Sequence, residues 1–153
     1  MERLRTETII LKGTKPKFKK TVSKMYDYCV AAKHIKNSIL FELRQDFFTE
    51  EKTKPTDTDI YNTILSKPKT FEENGITYIN YALDYPKNGI QQLIRKCRND
   101  MTSFYGKIKS GQKVSLPGYT RKETFVCVLS KNDFTIQYQC PNNWYNLLII
   151  PNN

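Results

Sequence analysis

The stretch PKNGIQQLIRKCRNDMTSFYGKIKSGQKVSLPGYTRK, residues 86–122, decides how the chain is read. Its apolar residues fall at Ile90, Leu93, Ile94, Cys97, Met101, Phe104, Tyr105 and Ile108, the helical spacing that buries one stripe. Pro86 suits a helix start, where no amide donor is needed, and Gly111 suits a stop, where a left-handed residue closes the last turn. The pattern predicts a helix over 87–109. Its other face carries Arg95, Lys96, Arg98, Asn99, Lys107 and Lys109. Beyond the stop, Leu116-Pro117-Gly118-Tyr119 leads into Thr120-Arg121-Lys122. A basic helix running into a basic loop with one aromatic matches the demands of phosphates and bases. The alternative is a solvated charged face, and a Tyr beside Pro-Gly also packs under a turn.

Upstream, residues 5–11 are rich in β-branched side chains and predict a strand. Thr14 suits an N-cap, and no Gly or Pro interrupts residues 17–48, so a long helix is expected over 16–48. Its expected stripe is Phe18, Val22, Met25, Cys29, Ala32, Ile39, Leu40, Leu43 and Phe47, with a second partial face at Tyr28, Ile35 and Phe41. Thr56 or Asp57 can cap a short helix over 59–65. Residues 70–85 read either as a short helix or as a packed irregular segment. Downstream the period changes to two, with strands expected at 124–129, 134–139 and 144–150. The fold class is therefore α+β: a small β sheet or partial barrel, joined by the N-terminal strand, with an inserted helical subdomain. The corresponding division is 1–13 and 112–153 for the β part and 14–111 for the helical part.

Net charge narrows the function. The 153 residues hold 25 Lys+Arg against 15 Asp+Glu, a net +10 that favours polyanionic partners. The excess sits at the ends: residues 1–50 hold 11 basic and 6 acidic groups, residues 51–100 hold 8 and 7, and residues 101–153 hold 6 and 2. Ten Tyr and eight Phe are many for this length, and rings that the core does not take can stack on bases. Cys29, Cys97, Cys127 and Cys140 are far apart, and His34 is the one histidine, so no local zinc spacing exists. Cys29 and Cys97 lie on apolar stripes and read as buried hydrophobes in a reducing compartment. No apolar run approaches a membrane span, and no secretory leader is evident, so a soluble, cytoplasmic protein is expected.

Catalytic patterns are missing. The glycines never fall in a phosphate-cradling spacing, and a single His would have to serve any nucleophilic triad. Asp27, Glu42, Asp46, Asp84 and Asp100 are scattered on polar faces rather than gathered as two-metal ligands. The expectation is no enzyme, no cofactor, no metal site and no catalytic residue.

Three blocks of residues resemble the N-terminal region of TnpB-type proteins, the RNA-guided nucleases of small insertion sequences and relatives of the type V CRISPR effectors. Lys33 to Phe47 resembles the first long helix of that family: Asn37 stands at the family Asn, Phe41 at a Tyr position, and Arg44-Gln45-Asp46-Phe47 at R-Q-x-F, while Lys36 replaces a family Tyr. Tyr85 to Arg95 resembles L-P-S-x-x-A-Q-Q-x-L-R, and Met101 to Tyr105 resembles W-x-S-F-F. Leu116 to Lys122 resembles P-x-Y-K-x-K, with Thr120 in place of a Lys. The blocks keep the family order, and the resemblance spans residues 5 to about 139. It implies a wedge-like β subdomain with an inserted helical recognition subdomain, both contacting guide RNA or the guide–target duplex. In that family a RuvC-like nuclease domain follows; this sequence stops at Asn153 before such a domain, so the resemblance covers none of the family's catalytic carboxylates.

The expected function is nucleic-acid binding without nuclease activity, as a remnant, a split partner or a recruited regulator or inhibitor. The expected binding residues are Asn37, Arg44, Gln45, Gln91, Arg95, Arg98, Lys107, Lys109, Tyr119, Arg121 and Lys122. RNA is the expected ligand and DNA a second one. A protein partner would supply a nuclease domain or be a related CRISPR effector, and no membrane is involved. The alternative is a protein-interaction module that keeps the fold and targets a related effector complex.

Overall fold

The computed structural model describes residues 16–48, 54–130, 133–139 and 146–151. Helix α1 spans Pro16–Phe48, and α2 spans Asp57–Ser66. A hairpin of β1, Thr70–Glu73, and β2, Ile76–Ile79, leads into a 3-10 turn at Tyr81–Asp84. Helix α3 spans Lys87–Lys109, and β3, Phe134–Gln139, pairs antiparallel with β4, Asn146–Pro151. The fold is α+β, and the described strands form two separate two-stranded sheets. The expected strand over 5–11 and the Thr14 cap lie outside the described residues, as does Trp144.

The helices pack because their stripes coincide. Ile39 and Leu40 of α1, Ile60 of α2 and Ile90, Leu93, Ile94 and Cys97 of α3 are fully buried together. Each such aliphatic side chain contributes about 1.5–3 kcal/mol relative to exposure. The α3 stripe follows the sequence reading as far as Phe104; Tyr105 is half-buried and Ile108 is exposed. Burial pushes the Cys97 thiol up to about 12, so it is a neutral apolar filler. On α1, Ala32, Ile39, Leu40 and Leu43 of the expected stripe are buried, and Cys29, read as buried, is half-buried. Tyr28 and Ile35 are core, Met25 is half-buried with Val30, and Val22 and Phe47 are exposed. Tyr28, Ala32, Ile35, Ile39 and Leu43 follow one another at helical spacing, so members of both candidate faces form one buried stripe, while Phe41 of the second face is exposed.

Local signals set the ends. Thr56 and Asp59 form a capping box that opens α2. At the end of α3, Gly111 takes φ 76°, its N–H donates to Ile108 O at 2.9 Å, and Gln112 N–H donates to Lys107 O at 3.0 Å. This is a Schellman-type closure. Residues 70–79, read as helix or irregular, form a hairpin instead. Asn74 and Gly75 occupy positive φ, 54° and 74°, as a two-residue hairpin turn of this twist requires. Buried Asn80 secures the hairpin base: its Nδ2 donates to Ile64 O at 3.0 Å and Lys67 O at 2.7 Å, and its Oδ1 accepts from Ala82 N at 3.1 Å.

The expected strand over 124–129 is not formed. Residues 112–130 cross the helices as an irregular segment, with Leu116, Phe125, Cys127 and Val128 packed on the core. The period-two pattern reflects this one-sided packing. The segment's backbone groups find partners on α1 and on the Tyr85 hydroxyl in place of a strand. Phe125 N–H donates to Cys29 O at 3.0 Å, Val128 N–H to Tyr85 Oη at 3.1 Å, and Tyr85 Oη to Val128 O at 3.2 Å. Burial, then the Cys127 thiol, raises the Tyr85 phenol above its ordinary value, so it stays neutral.

Gly89 allows this crossing. A Cβ there would lie 2.5 Å from Val128 O and 2.8 Å from the Tyr85 ring, whereas a Cβ at Gly106 of the same helix would meet nothing. Helix propensity alone makes Gly→Ala stabilising by about 0.5–1 kcal/mol at either position. Gly106→Ala should therefore raise stability by that amount. Gly89→Ala should lower it by about 1–3 kcal/mol, because a backbone atom must move. Urea titrations of the two variants check the pair, and equal signs would mean that 122–130 does not lie on α3.

Candidate nucleic-acid interface

The 116–122 loop is held on one face of α1. Asn37 Nδ2 donates to Thr120 O at 3.2 Å, and Thr120 N–H donates to Asn37 Oδ1 at 2.8 Å. One amide side chain thus satisfies both backbone groups of Thr120, as a neighbouring strand would. Lys36, itself buried, donates from Nζ to Thr120 Oγ1 at 2.9 Å and lies 5.0 Å from the Phe125 ring centre. Its charge is accommodated by a hydroxyl and a ring face, and no carboxylate among the described residues pairs with it. Two turns beyond Asn37, the Arg44 guanidinium stacks on Tyr119 with 4.7 Å to the ring centre. The buried Arg44 Nε has no hydrogen-bond partner among the described residues.

The result is a platform. Tyr119 remains 44% exposed although it is backed by Arg44, and the exposed side chains of Arg121 and Lys122 follow it. Tyr119 is therefore not a core residue under a turn. Gln45 is exposed beside Arg44 on α1.

The α3 candidates divide. Gln91, Arg95, Lys107 and Lys109 are exposed. Arg98 is not a free cation: its Nη2 donates to Pro55 O at 2.7 Å and its Nε pairs with Asp57. It ties α3 to the start of α2, which sequence spacing could not reveal because Asp57 lies 41 positions away. None of the named hydrogen bonds, ion pairs or ring stacks among the described residues joins Arg95, Lys107 or Lys109 to the 116–122 loop. The sequence places the two groups of cations in order, and the structure presents them on separate elements.

The fold also makes a feature that the sequence reading does not contain. A groove opens between α1 and the β1–β2 hairpin, lined by His34, Phe41, Phe71, Tyr78, Tyr81 and Tyr119 among others. His34 stacks on Tyr81 at 4.5 Å with planes 13° apart. Burial, then the Lys33 charge, lowers the His34 pKa, so the ring is neutral at pH 7. The signal for this groove is Asn74-Gly75 between alternating residues, which marks a hairpin.

Among the described residues no group of three or more His, Cys, Asp or Glu could hold a metal ion, and no helix is long and apolar enough to cross a membrane. Compared with family models, curated proteins and solved structures, the chain finds no match.

The clamp predicts a specific outcome. Asn37→Ala leaves the N–H and C=O of Thr120 without partners and should cost about 1–3 kcal/mol. Asn37→Asp keeps the acceptor and loses the donor, so it should fall between the wild type and Asn37→Ala. Thermal melts of the three proteins read the order directly; three equal midpoints would show that the loop is not held there.

Proposed function

We propose that the protein binds RNA through the Tyr119-Thr120-Arg121-Lys122 loop, with the exposed cations of α3 supplying further phosphate contacts. The observation that carries this reading is the Arg44–Tyr119 stack on a loop pinned to α1. A half-exposed ring held rigid beside two exposed cations offers a base a stacking face and offers its phosphates counter-charge. Pre-ordering by Asn37 and Lys36 lowers the entropy lost on binding. A net +10 favours the encounter with a polyanion.

The resemblance to TnpB-type proteins gives the ligand its class: guide RNA, or the duplex of guide RNA with target DNA. In this reading the chain is a wedge-and-recognition lobe that binds and does not cut, in the cytoplasm. The chemistry is supplied by a nuclease domain in a partner, or the chain regulates a related CRISPR effector. Lys36 and Thr120, two of the departures from the family pattern, are bonded to each other. That pairing supports a retained loop position with a changed anchor.

Anisotropy titrations of a structured RNA over a range of salt test the assignment residue by residue. Tyr119→Ala should weaken binding by about 1–3 kcal/mol with the salt slope preserved, because stacking releases no counterions. Arg121→Gln with Lys122→Gln should flatten the slope by roughly one unit for each phosphate that is no longer neutralised. Arg95→Gln should leave stability within about half a kcal/mol. Arg98→Gln should lower stability by about 1 kcal/mol, since it breaks an ion pair and a bond to a carbonyl. Affinity that is independent of salt, or unchanged in both loop variants, would remove this loop from the interface.

A further inference from the structure

The groove between α1 and the hairpin holds about 510 Å³, in the range of a small-ligand site. Its walls are rings. Phe71 and Tyr78 stack at 5.5 Å with planes 21° apart, and His34 stacks on Tyr81. Phe41 is 45% exposed and Tyr78 41%, so aromatic surface is presented on the helix side and on the hairpin side. Flat walls on both sides suit a flat ligand.

The charges are mixed, and that selects among ligands. Glu42 and Glu73 line the groove, and the lysine there, Lys67, has its ammonium 5.0 Å from the Phe71 ring centre. Two carboxylates repel a phosphate. They accept hydrogen bonds from an amine on a heterocycle, as Glu does from the exocyclic amine of cytosine. Tyr119 belongs both to this groove and to the basic loop, so a strand bound on the loop passes the groove mouth.

We propose that the groove captures one unpaired, amine-bearing nucleobase, cytosine best, from the RNA strand bound on the Tyr119 loop. This rests on the RNA-binding reading above. The backbone stays on the cationic loop, where its charge is matched, and only the base enters. Rings on either side cover its faces, and a carboxylate receives its amine. A base in a duplex has its edge and faces already occupied, so the groove selects single-stranded segments. Uracil lacks the amine, and the carbonyl oxygens that flank its N3–H repel a carboxylate.

The test uses the full chain with short oligocytidylate, short oligouridylate and a structured RNA, read by anisotropy. The wild type should prefer oligocytidylate over oligouridylate by about tenfold, the size of one good base contact. Phe41→Ala and Tyr78→Ala should each weaken oligocytidylate binding by about tenfold. Tyr78→Phe, which keeps the ring, should bind as the wild type does, which separates ring loss from hydroxyl loss. Phe41 lies on α1, so that variant leaves the hairpin strands intact. Replacing Glu42 and Glu73 together by Gln should bring the preference toward unity. Equal wild-type affinity for the two oligonucleotides overturns the proposal. If Phe41→Ala and Tyr78→Ala bind normally while Arg121→Gln with Lys122→Gln weakens binding, the groove is excluded and the loop reading stands. A proline-rich peptide that loses binding in Tyr78→Ala, while oligocytidylate does not, assigns the groove to protein and also overturns it. A wild type that binds none of the three RNAs removes both readings.

Discussion

The amide of Asn37 on the backbone of Thr120 is the interaction on which the candidate interface depends. Residues 112–130 have no helix or strand of their own, so nothing internal fixes their path. Asn37 replaces the missing ladder at one residue, Cys29 O does so at Phe125, and the Tyr85 hydroxyl does so at Val128. Asn37 and Cys29 sit on α1, Tyr85 stands just before α3, and the helices are fixed by their common apolar core. The irregular segment thus inherits the rigidity of that core. Tyr119, Arg121 and Lys122 are presented in one place because their neighbour Thr120 is held at both its N–H and its C=O.

The helices are legible in the sequence because their information is local. The α3 bounds follow from Pro86, Gly111 and the spacing of Ile90 to Phe104, and the α1 bounds from an uninterrupted run ending at Phe48. Caps and periodicity act over a turn or two, which a sequence displays. Two segments mislead for opposite reasons. Residues 124–129 alternate as a strand does, yet alternation records only that one side is buried, and here the helices bury it. Residues 70–79 contain Asn74-Gly75, the strongest short hairpin signal, and the apolar cluster at Tyr78, Ile79, Tyr81 and Ala82 masks it.

The site is partly legible for a related reason. Exposure of Arg95, Lys107 and Lys109 follows from their place off the α3 stripe, and that of Arg121 and Lys122 from their place in a polar loop. The employment of Arg98 by Asp57 and Pro55, and of Asn37 by Thr120, depends on partners 41 and 83 positions away. A candidate set built from residue type therefore mixes groups that can meet a ligand with groups that hold the fold. Asn37 and Arg98 belong to the second kind. Arg44 belongs to both, since its stack positions Tyr119. Lys36 and Thr120 lie 84 positions apart in the sequence and are joined by one hydrogen bond in the fold.

In the proposed function, RNA lies on the loop pinned to α1. Ultraviolet crosslinking of a structured RNA to the protein, followed by mass spectrometry of the crosslinked peptides, tests it most directly. RNA bound there makes the peptide containing Tyr119 the dominant product, with the yield falling as salt is raised. Crosslinks confined to peptides from β3 and β4, with none at Tyr119, would contradict it.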